Sequence, residues 1–360
     1  MSEISFSNQL ESKINLLKSR AKKIKLGEVA FDSNLLVAPM SAICTAPFRV
    51  LMEKLGAGGT VSELISCHGI NYGNEKTRKM LELHPEEKNI GLQLFGEDPE
   101  AMAKAAIVAE TYKPKFIDIN MGCPVRKVVT KGGGSALMKD TTKLGNFFAQ
   151  MKKAINIPLT IKIRTGWDAE SINAPEIIHI AKEEGVEFVA IHGRTRTQQY
   201  QGKADWDLLE RIGSDSPLPI IGNGDLHSPV LVRERMLKTN CQALMVGRGC
   251  LRNPFIFLEA FIDEGEDIAF TPSEYWEIIQ LLKDLTENHT DKERTHLIQM
   301  RKHIVWMAAG LPNVAKFRSM VFQTPDLADT MKITEDYFLS LETAQKDINP
   351  HETFMAGGHG

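Results

Sequence analysis

Cys123 stands in the run Phe116-Ile-Asp-Ile-Asn-Met-Gly-Cys-Pro-Val125, where a short apolar stretch ends at Asn120-Met-Gly122 and delivers a thiol directly ahead of a proline. Pro124 has no N–H for a ladder hydrogen bond, so a strand stops there and presents the cysteine at its carboxyl end. A glycine-rich loop, Lys131-Gly-Gly-Gly-Ser-Ala136, follows. A thiol in that setting can be a half-buried structural cysteine or a reactive group, and reactivity rather than packing decides between them.

Distinctive residues recur at the ends of other apolar runs, most of them glycine, polar or cationic: Ala38-Pro-Met40, Gln93-Leu-Phe-Gly96, Lys162-Ile-Arg164, His192-Gly-Arg194, Gly222-Asn-Gly-Asp225 and Gly247-Arg-Gly249. The last two give adjacent turns with exposed backbone N–H groups and the charge of Arg248, a setting for a phosphate, although tight turns alone also call for glycine. If strand alternation holds, Lys162 and His192 face inward beside such a phosphate. A cation at that place suits the N1–C2=O edge of a flavin, whose reduced form is anionic, and Gln93 can hydrogen-bond its pyrimidine edge. Read alone, His192 is more often a satisfied core histidine; beside Lys162 and the two phosphate-type turns the functional reading takes precedence.

Positioning these groups requires a repeating scaffold. Eight short β-like runs occur in order: Asn34–Met40, Thr60–Ile65, Asn89–Phe95, Phe116–Met121, Pro158–Thr165, Phe188–Arg194, Pro219–Asp225 and Ala243–Gly249. Most are continuously apolar, as in strands buried on both faces of a parallel sheet. Amphipathic stretches such as Asp98–Tyr112, Thr141–Ile155, Ala174–Glu184 and Pro229–Lys238 separate them, Asp98-Pro-Glu100 supplying an N-cap and Gly185 a stop. Eight alternations predict a (β/α)8 TIM barrel, whose carboxyl face carries the site. An open doubly wound sheet is the alternative, but no Gly-x-Gly-x-x-Gly turn follows the first run. Beyond Phe261 the segments Glu274–Thr290 and His296–Ala309 are helical in period. The expected organisation is a barrel over residues 1–265 with a short N-terminal extension, a smaller all-helical domain over 266–345, and a flexible tail over 346–360.

The net charge of −3 offers no global attraction for a polyanion, so such a partner must use a local patch. Five dispersed cysteines without a Cys-x-x-Cys pair argue against a disulfide framework or a metal site. No apolar stretch suggests a leader or membrane span. A cytoplasmic monomer without metal is expected.

The segments above, with Pro47-Phe-Arg49, Asp118-Ile-Asn-Met-Gly-Cys-Pro124, Lys162-Ile-Arg-Thr-Gly-Trp-Asp168, Tyr200-x-Gly-x-Ala-Asp-Trp206 and Arg301-Lys-His303 with Gly310-Leu-Pro312, resemble the FMN-dependent tRNA-dihydrouridine synthases, in particular the bacterial B-type subgroup. The resemblance covers nearly the whole chain. It implies FMN held by Pro39, Met40, Gln93, Lys162, His192, Asn223, Gly224, Asp225, Gly247 and Arg248, with NAD(P)H as transient reductant. It implies Cys123 as the acid that protonates C5 of a uracil ring while hydride reaches C6. An ordinary thiol, with a pKa of about 8.5, is protonated at neutral pH yet acidic enough for that task. Asn120 is placed to contact the uracil edge, and the target base must leave the folded RNA to reach the barrel.

Thr295 to Met320 contains Arg301, Lys302, Lys316 and Arg318 and no acid, a patch suited to tRNA phosphates or simply a solvated face. Arg126, Lys127 and Lys131 carry the same sign toward Cys123. Cys44, on the first loop of the active face, is a second thiol to exclude as the acid. The competing reading is an FMN-dependent reductase of a free pyrimidine or small enone, for which a helical domain has no use.

Overall fold

The continuous apolar runs become strands because both of their faces are covered: Ile117, Ile119, Ile161, Ile163 and Ile191 all point out under helices and are fully buried. A computed structural model of the chain describes residues 6–289, 292–342, 344–352 and 354–355. Thr290 and the tail residues 353 and 356–360 lie outside the described residues. Among the described residues the barrel strands are β1 (Leu35–Val37), β2 (Thr60–Val61), β3 (Ile90–Phe95), β4 (Phe116–Met121), β5 (Leu159–Arg164), β6 (Val189–His192), β7 (Ile220–Asn223) and β8 (Ala243–Val246). They pair in parallel in the order β1-β8-β7-β6-β5-β4-β3-β2. A bridge from Leu36 to Gly59 joins the two ends, with Val37 N–H donating to Gly59 O at 3.0 Å. The result is a (β/α)8 barrel, as the alternation predicted.

The pairing register decides which side chains share a layer. Gln93 lies opposite Asp118, and Asp118 opposite Thr160. Two residues further along, Asn120 lies opposite Lys162, and two further again Arg164, His192 and Asn223 sit in line across β5, β6 and β7. Period-two alternation therefore turns Asp118, Asn120, Thr160, Lys162 and Arg164 toward the barrel axis.

The amino end of the barrel is closed by a hairpin, Ile24–Leu26 with Val29–Phe31. Phe31 packs edge-on against Phe116 at 6.0 Å and Phe188 at 5.9 Å. Gly91 makes room for this plug, since a Cβ there would fall 2.1 Å from the Phe116 ring. With an aromatic floor at one end, the polar layers collect at the carboxyl end.

The longer helices among the described residues of the barrel are α1 (Asn8–Arg20), α2 (Ala46–Lys54), α3 (Pro99–Glu110), α4 (Leu144–Ala154), α5 (Ala174–Glu183), α6 (Trp206–Asp215) and α7 (Pro229–Lys238). Asp98 caps α3 through the Ala101 N–H at 2.7 Å. Then come α8 (Pro272–Glu287), α9 (Glu293–Ala308), α10 (Val314–Gln323) and α11 (Leu327–Ser340), which form the helical C-terminal region. The N-terminal stretch, read from sequence as a polar extension, contains α1, whose Leu10, Ile14 and Leu17 form a buried stripe. This helix ties the barrel to the helical region through Lys13 and Glu274 at 2.7 Å, while Phe48 of α2 stacks on His303 of α9 at 5.2 Å. Among the described residues no helix is long and apolar enough to cross a membrane.

The stretch read as a flexible tail makes specific contacts in its described part. Lys346 donates to Arg252 O at 2.6 Å and sits 3.9 Å above the Tyr275 ring, and Glu352 pairs with Arg252 at 3.2 Å. Arg248 donates to the carbonyl of Met355 at 2.5 Å, so this segment reaches the barrel mouth.

Candidate active site

Strand ends from around the barrel converge on one open cavity of about 1130 Å³ counted out to its mouth. Asn120, Cys123, Lys162, His192, Asn223 and Arg248 all stand on its wall. So do Pro39, Met40, Gly224, Asp225 and Gly247. The spacing of these residues in sequence, from 39 to 248, is recovered in one place because each ends a parallel strand.

Cys123 occupies the turn after β4. Its backbone N–H donates to Asn120 Oδ1 at 2.9 Å, and its carbonyl accepts from the Ser135 N–H at 3.2 Å and hydroxyl at 3.0 Å. Gly134 takes φ +58° there, and a Cβ would press within 2.9 Å of the Cys123 carbonyl oxygen, so the glycine loop is shaped to close on the cysteine. The thiol is half-buried, and burial pushes its pKa up against the opposing pull of the Val125 N–H and of Arg164 and Lys162. It is therefore an un-ionised thiol at neutral pH. Cys44 is different: fully buried, it donates to Ala38 O at 3.3 Å, and burial pushes it up to about 12. It does not line the cavity, which removes it as an acid.

Lys162 is nearly buried and donates to Asn223 Oδ1 at 3.1 Å, and Asn223 in turn donates to Met245 O at 2.7 Å. Burial, with Arg164 nearby, pushes Lys162 down to about 8, so the ammonium form prevails at pH 7. His192 is held well below the usual imidazole range by burial and by Arg164, Lys162, Arg194 and Arg248 around it. Arg194 Nη1 lies 3.3 Å from His192 Nε2, and a guanidinium can only donate. The neutral ring thus carries its proton on Nδ1.

Arginines shape the wall on the β5–β6 side. Arg164 donates to Gly122 O, Thr195 O and Gln199 O, each at 2.8 Å, linking the cysteine turn to the loop after β6. Arg194 pairs with Asp225 at 2.8 Å, and Asp225 also accepts from the Ala204 N–H at 2.7 Å. Burial alone would raise Asp225, but His227, the Ala204 N–H and Arg194 outweigh it and hold the carboxylate far below its usual range. That loop delivers Tyr200 into the cavity, flanked by Arg248 at 5.0 Å and Arg164 at 5.7 Å.

Four residues named from sequence, Gln93, Arg126, Arg301 and Lys302, lie elsewhere. Gln93 is fully buried beneath the cavity, donating to Asp118 Oδ2 at 2.6 Å and accepting from Asn120 Nδ2 at 2.8 Å. Arg126 is exposed at the start of a short helix, Arg126–Val129, beyond Cys123 and off the cavity wall. Arg301 turns inward, its guanidinium donating to the backbone and hydroxyl oxygens of Thr324 at the end of α10. Lys302 is half-exposed, while Lys316 and Arg318 stand exposed on α10 beside Met320 and Phe322. Tyr200 and Met355 line the cavity but drew no role from sequence; Tyr200 lay in a recognised segment, whereas nothing local marked Met355.

The donor set fits an anionic, planar, acceptor-rich group. The buried ammonium of Lys162 has three N–H donors, and its acceptor among the described residues is Asn223. His192 Nδ1–H, Arg248 and the turn at Gly247 add donors of the same kind, and the Asp225 charge is already spent on Arg194. Among the described residues no group of three or more His, Cys, Asp or Glu could hold a metal ion.

The fold and this cavity define a (β/α)8-barrel protein with its site at the carboxyl face and a helical region appended. Known structures share the barrel: a histamine dehydrogenase from Rhizobium sp. 4-9 superposes with a TM-score of 0.53 at 11% identity over 75% of this chain. A 6-hydroxypseudooxynicotine amine oxidase from Pseudomonas geniculata gives 0.52 at 9% identity over 71%. The chain spans about half the length of each of those two, 51% and 50%. Residues 36–347 match the family described as dihydrouridine synthase. A probable tRNA-dihydrouridine synthase of Rickettsia conorii is 36% identical over 89% of this chain and 98% of its own length. The tRNA-dihydrouridine synthase B of Xanthomonas axonopodis pv. citri is 34% identical over 88% of this chain and 96% of its own. The chain belongs to the dihydrouridine synthase family, and its similarity to B-type members places it with that subgroup.

Proposed function

We propose that this protein is a tRNA-dihydrouridine synthase that reduces the C5=C6 bond of uridine in tRNA, with FMN as its cofactor and NAD(P)H as reductant. The observation that carries the reading is the shared cavity of an un-ionised Cys123 thiol and a buried Lys162 ammonium at the barrel mouth. FMN, when bound and reduced, supplies the hydride for C6 of the uracil ring.

The protein's own residues supply the rest. Lys162 and the His192 Nδ1–H provide positive charge and a donor against the cofactor's acceptor edge, and Arg248 with the Gly224 and Gly247 turns suits its phosphate. Cys123 delivers the proton to C5, and its burial keeps the proton in place until charge develops on the ring. Asn120 has one amide N–H left after serving Gln93, which can hold a uracil carbonyl. The exposed cations Lys316 and Arg318 of α10 extend the surface for the RNA backbone, a use that a reductase of free pyrimidines would not have.

The test is direct. Purified protein loaded with FMN and given NADPH and unmodified tRNA should form dihydrouridine, read by mass spectrometry of nucleosides. Protein that takes up no FMN, or that reduces free uracil but leaves tRNA unchanged, sinks the proposal.

A further inference from the structure

Beneath the cavity a chain of buried hydrogen bonds runs from the barrel core to the cysteine turn. Thr160 Oγ1 donates to Asp118 Oδ1 at 2.6 Å, and Gln93 Nε2 donates to Asp118 Oδ2 at 2.6 Å. Asn120 Nδ2 donates to Gln93 Oε1 at 2.8 Å, and the Cys123 N–H donates to Asn120 Oδ1 at 2.9 Å. Thr160, Gln93 and Asp118 are at most 3% exposed, so water cannot substitute for a partner lost among them, while Asn120, 4% exposed, carries the chain up to the cavity wall.

The direction of these bonds follows from chemistry. A hydroxyl or a carboxamide can donate or accept, and a carboxamide can be turned end for end; an ionised carboxylate can only accept. Burial pushes Asp118 up to about 6, against the hydrogen bonds of Gln93 and Thr160 and the charge of Lys162, so it is ionised at pH 7. Gln93 must then present its nitrogen to Asp118 and its oxygen to Asn120. Asn120 must present its nitrogen to Gln93 and its oxygen to Cys123.

We infer that Asp118 is a positioning residue whose accept-only oxygens set the polarity of the whole chain, and thereby the end of the Asn120 amide that holds the Cys123 backbone. With a neutral amide at position 118 the chain can run the other way. Its nitrogen then donates to Gln93 Oε1, Gln93 donates to Asn120 Oδ1, and Asn120 turns its nitrogen to the Cys123 N–H. Two donors face each other, and the cysteine turn loses its anchor. The role of Asp118 in turnover rests on the reading of Cys123 as the acid, but its effect on the Cys123 amide does not.

The experiment compares Asp118→Asn, Thr160→Val and the double variant Asp118→Asn/Gln93→Glu. The double variant moves the carboxylate one link along, from position 118 to position 93. The new amide at position 118 and the amide of Asn120 would both donate to that carboxylate, and Asn120 would again offer its oxygen to Cys123. Selective 15N-cysteine labelling reads the exchange protection of the Cys123 amide without reference to activity, and dihydrouridine formation is measured in parallel. Protection should fall about tenfold or more in Asp118→Asn, the worth of one buried hydrogen bond. It should return in the double variant and stay near the parent value in Thr160→Val, which keeps the carboxylate. Turnover should follow the same order with KM for tRNA little changed. Unaltered protection in Asp118→Asn, or no recovery in the double variant, overturns the inference. If Asp118→Asn does not fold, a folded double variant with parental protection supports it and one without protection overturns it. Protection that follows the expected order without any dihydrouridine formation would leave this inference standing and reject the proposed activity.

Discussion

Lys162 Nζ donates to Asn223 Oδ1 across 3.1 Å, joining β5 to β7 over the barrel mouth. Burial pushes this ammonium down to about 8; Arg164 adds to the shift, while Asp118 and Cys123 oppose it. A cofactor ring that presents acceptors to Lys162 selects the protonated, charge-donating form, so above that pH the apoprotein must take up a proton to bind it. The affinity for FMN should be greatest below pH 8 and decline as pH rises through it, approaching about tenfold per unit for one linked proton. Lys162→Met should bind more weakly at every pH and show no such decline. Quenching of flavin fluorescence on titrating apoprotein measures both. A flat profile in the parent protein would remove Lys162 from the cofactor's side.

Cys123 is the other polar group whose setting carries the proposed reaction. Cys123→Ala should retain flavin binding and flavin reduction by NADPH, seen as bleaching of the oxidised absorbance band. Dihydrouridine formation should drop by about 10²-fold or more, the usual worth of a positioned general acid. Product formation at the parental rate would assign the proton to another donor, and Cys44 is not a candidate because its thiol is fully buried and off the cavity wall.

The same two residues show how far sequence alone reaches. Strands whose two faces are both covered announce themselves as apolar runs, and a polar residue that ends such a run points to the active face. That Lys162, His192, Asn223 and Cys123 meet on one cavity wall is legible for that reason. Gln93 and Arg301 obey the same rules of type and spacing, yet their polar ends are spent on Asp118, Asn120 and Thr324. Which partner a side chain finds depends on register across strands distant in sequence. The last helix, α11, escapes a reading of apolar period because its buried stripe is Thr330, Thr334 and Phe338. Threonines read as solvent-facing, but here each hydroxyl bonds back to a carbonyl four residues earlier, Asp326 O and Thr330 O, at 2.7 Å.

The inward turn of Arg301 separates two effects that the basic patch had joined. Arg301→Ala should lower thermal stability, because it strips the carbonyl and hydroxyl of Thr324 of their donor at the end of α10; about 1–3 kcal/mol is the scale for such a loss. Its effect on tRNA affinity should be small. Lys316→Glu with Arg318→Glu should do the reverse, weakening tRNA binding and flattening its dependence on salt while leaving the melting temperature close to the parent's. Filter binding over a range of salt concentrations, beside a thermal scan, distinguishes the two. Loss of tRNA binding in Arg301→Ala without loss of stability would return that residue to the interface.

Arg49 and Glu87 form a buried pair behind the first active-face loop, 2.5 Å apart with side chains 3% and 0% exposed. Arg49 also donates to Cys44 O at 2.7 Å, and Glu87 accepts from the His84 N–H at 2.7 Å, so the pair locks the loop after β1 to the segment before β3. Removing one partner leaves the other charge buried and uncompensated. Glu87→Ala should therefore cost about 3–5 kcal/mol, whereas Arg49→Met with Glu87→Leu should recover much of that, because two apolar side chains leave no stranded charge. Chemical denaturation of the three proteins tests the order. The double variant should still differ from the parent in flavin affinity, because Cys44 O has lost its donor and the loop carrying Pro39 and Met40 to the cavity wall is held less firmly. Equal stability of Glu87→Ala and the parent would mean that Arg49 finds another acceptor or water, and that the loop owes its position to packing.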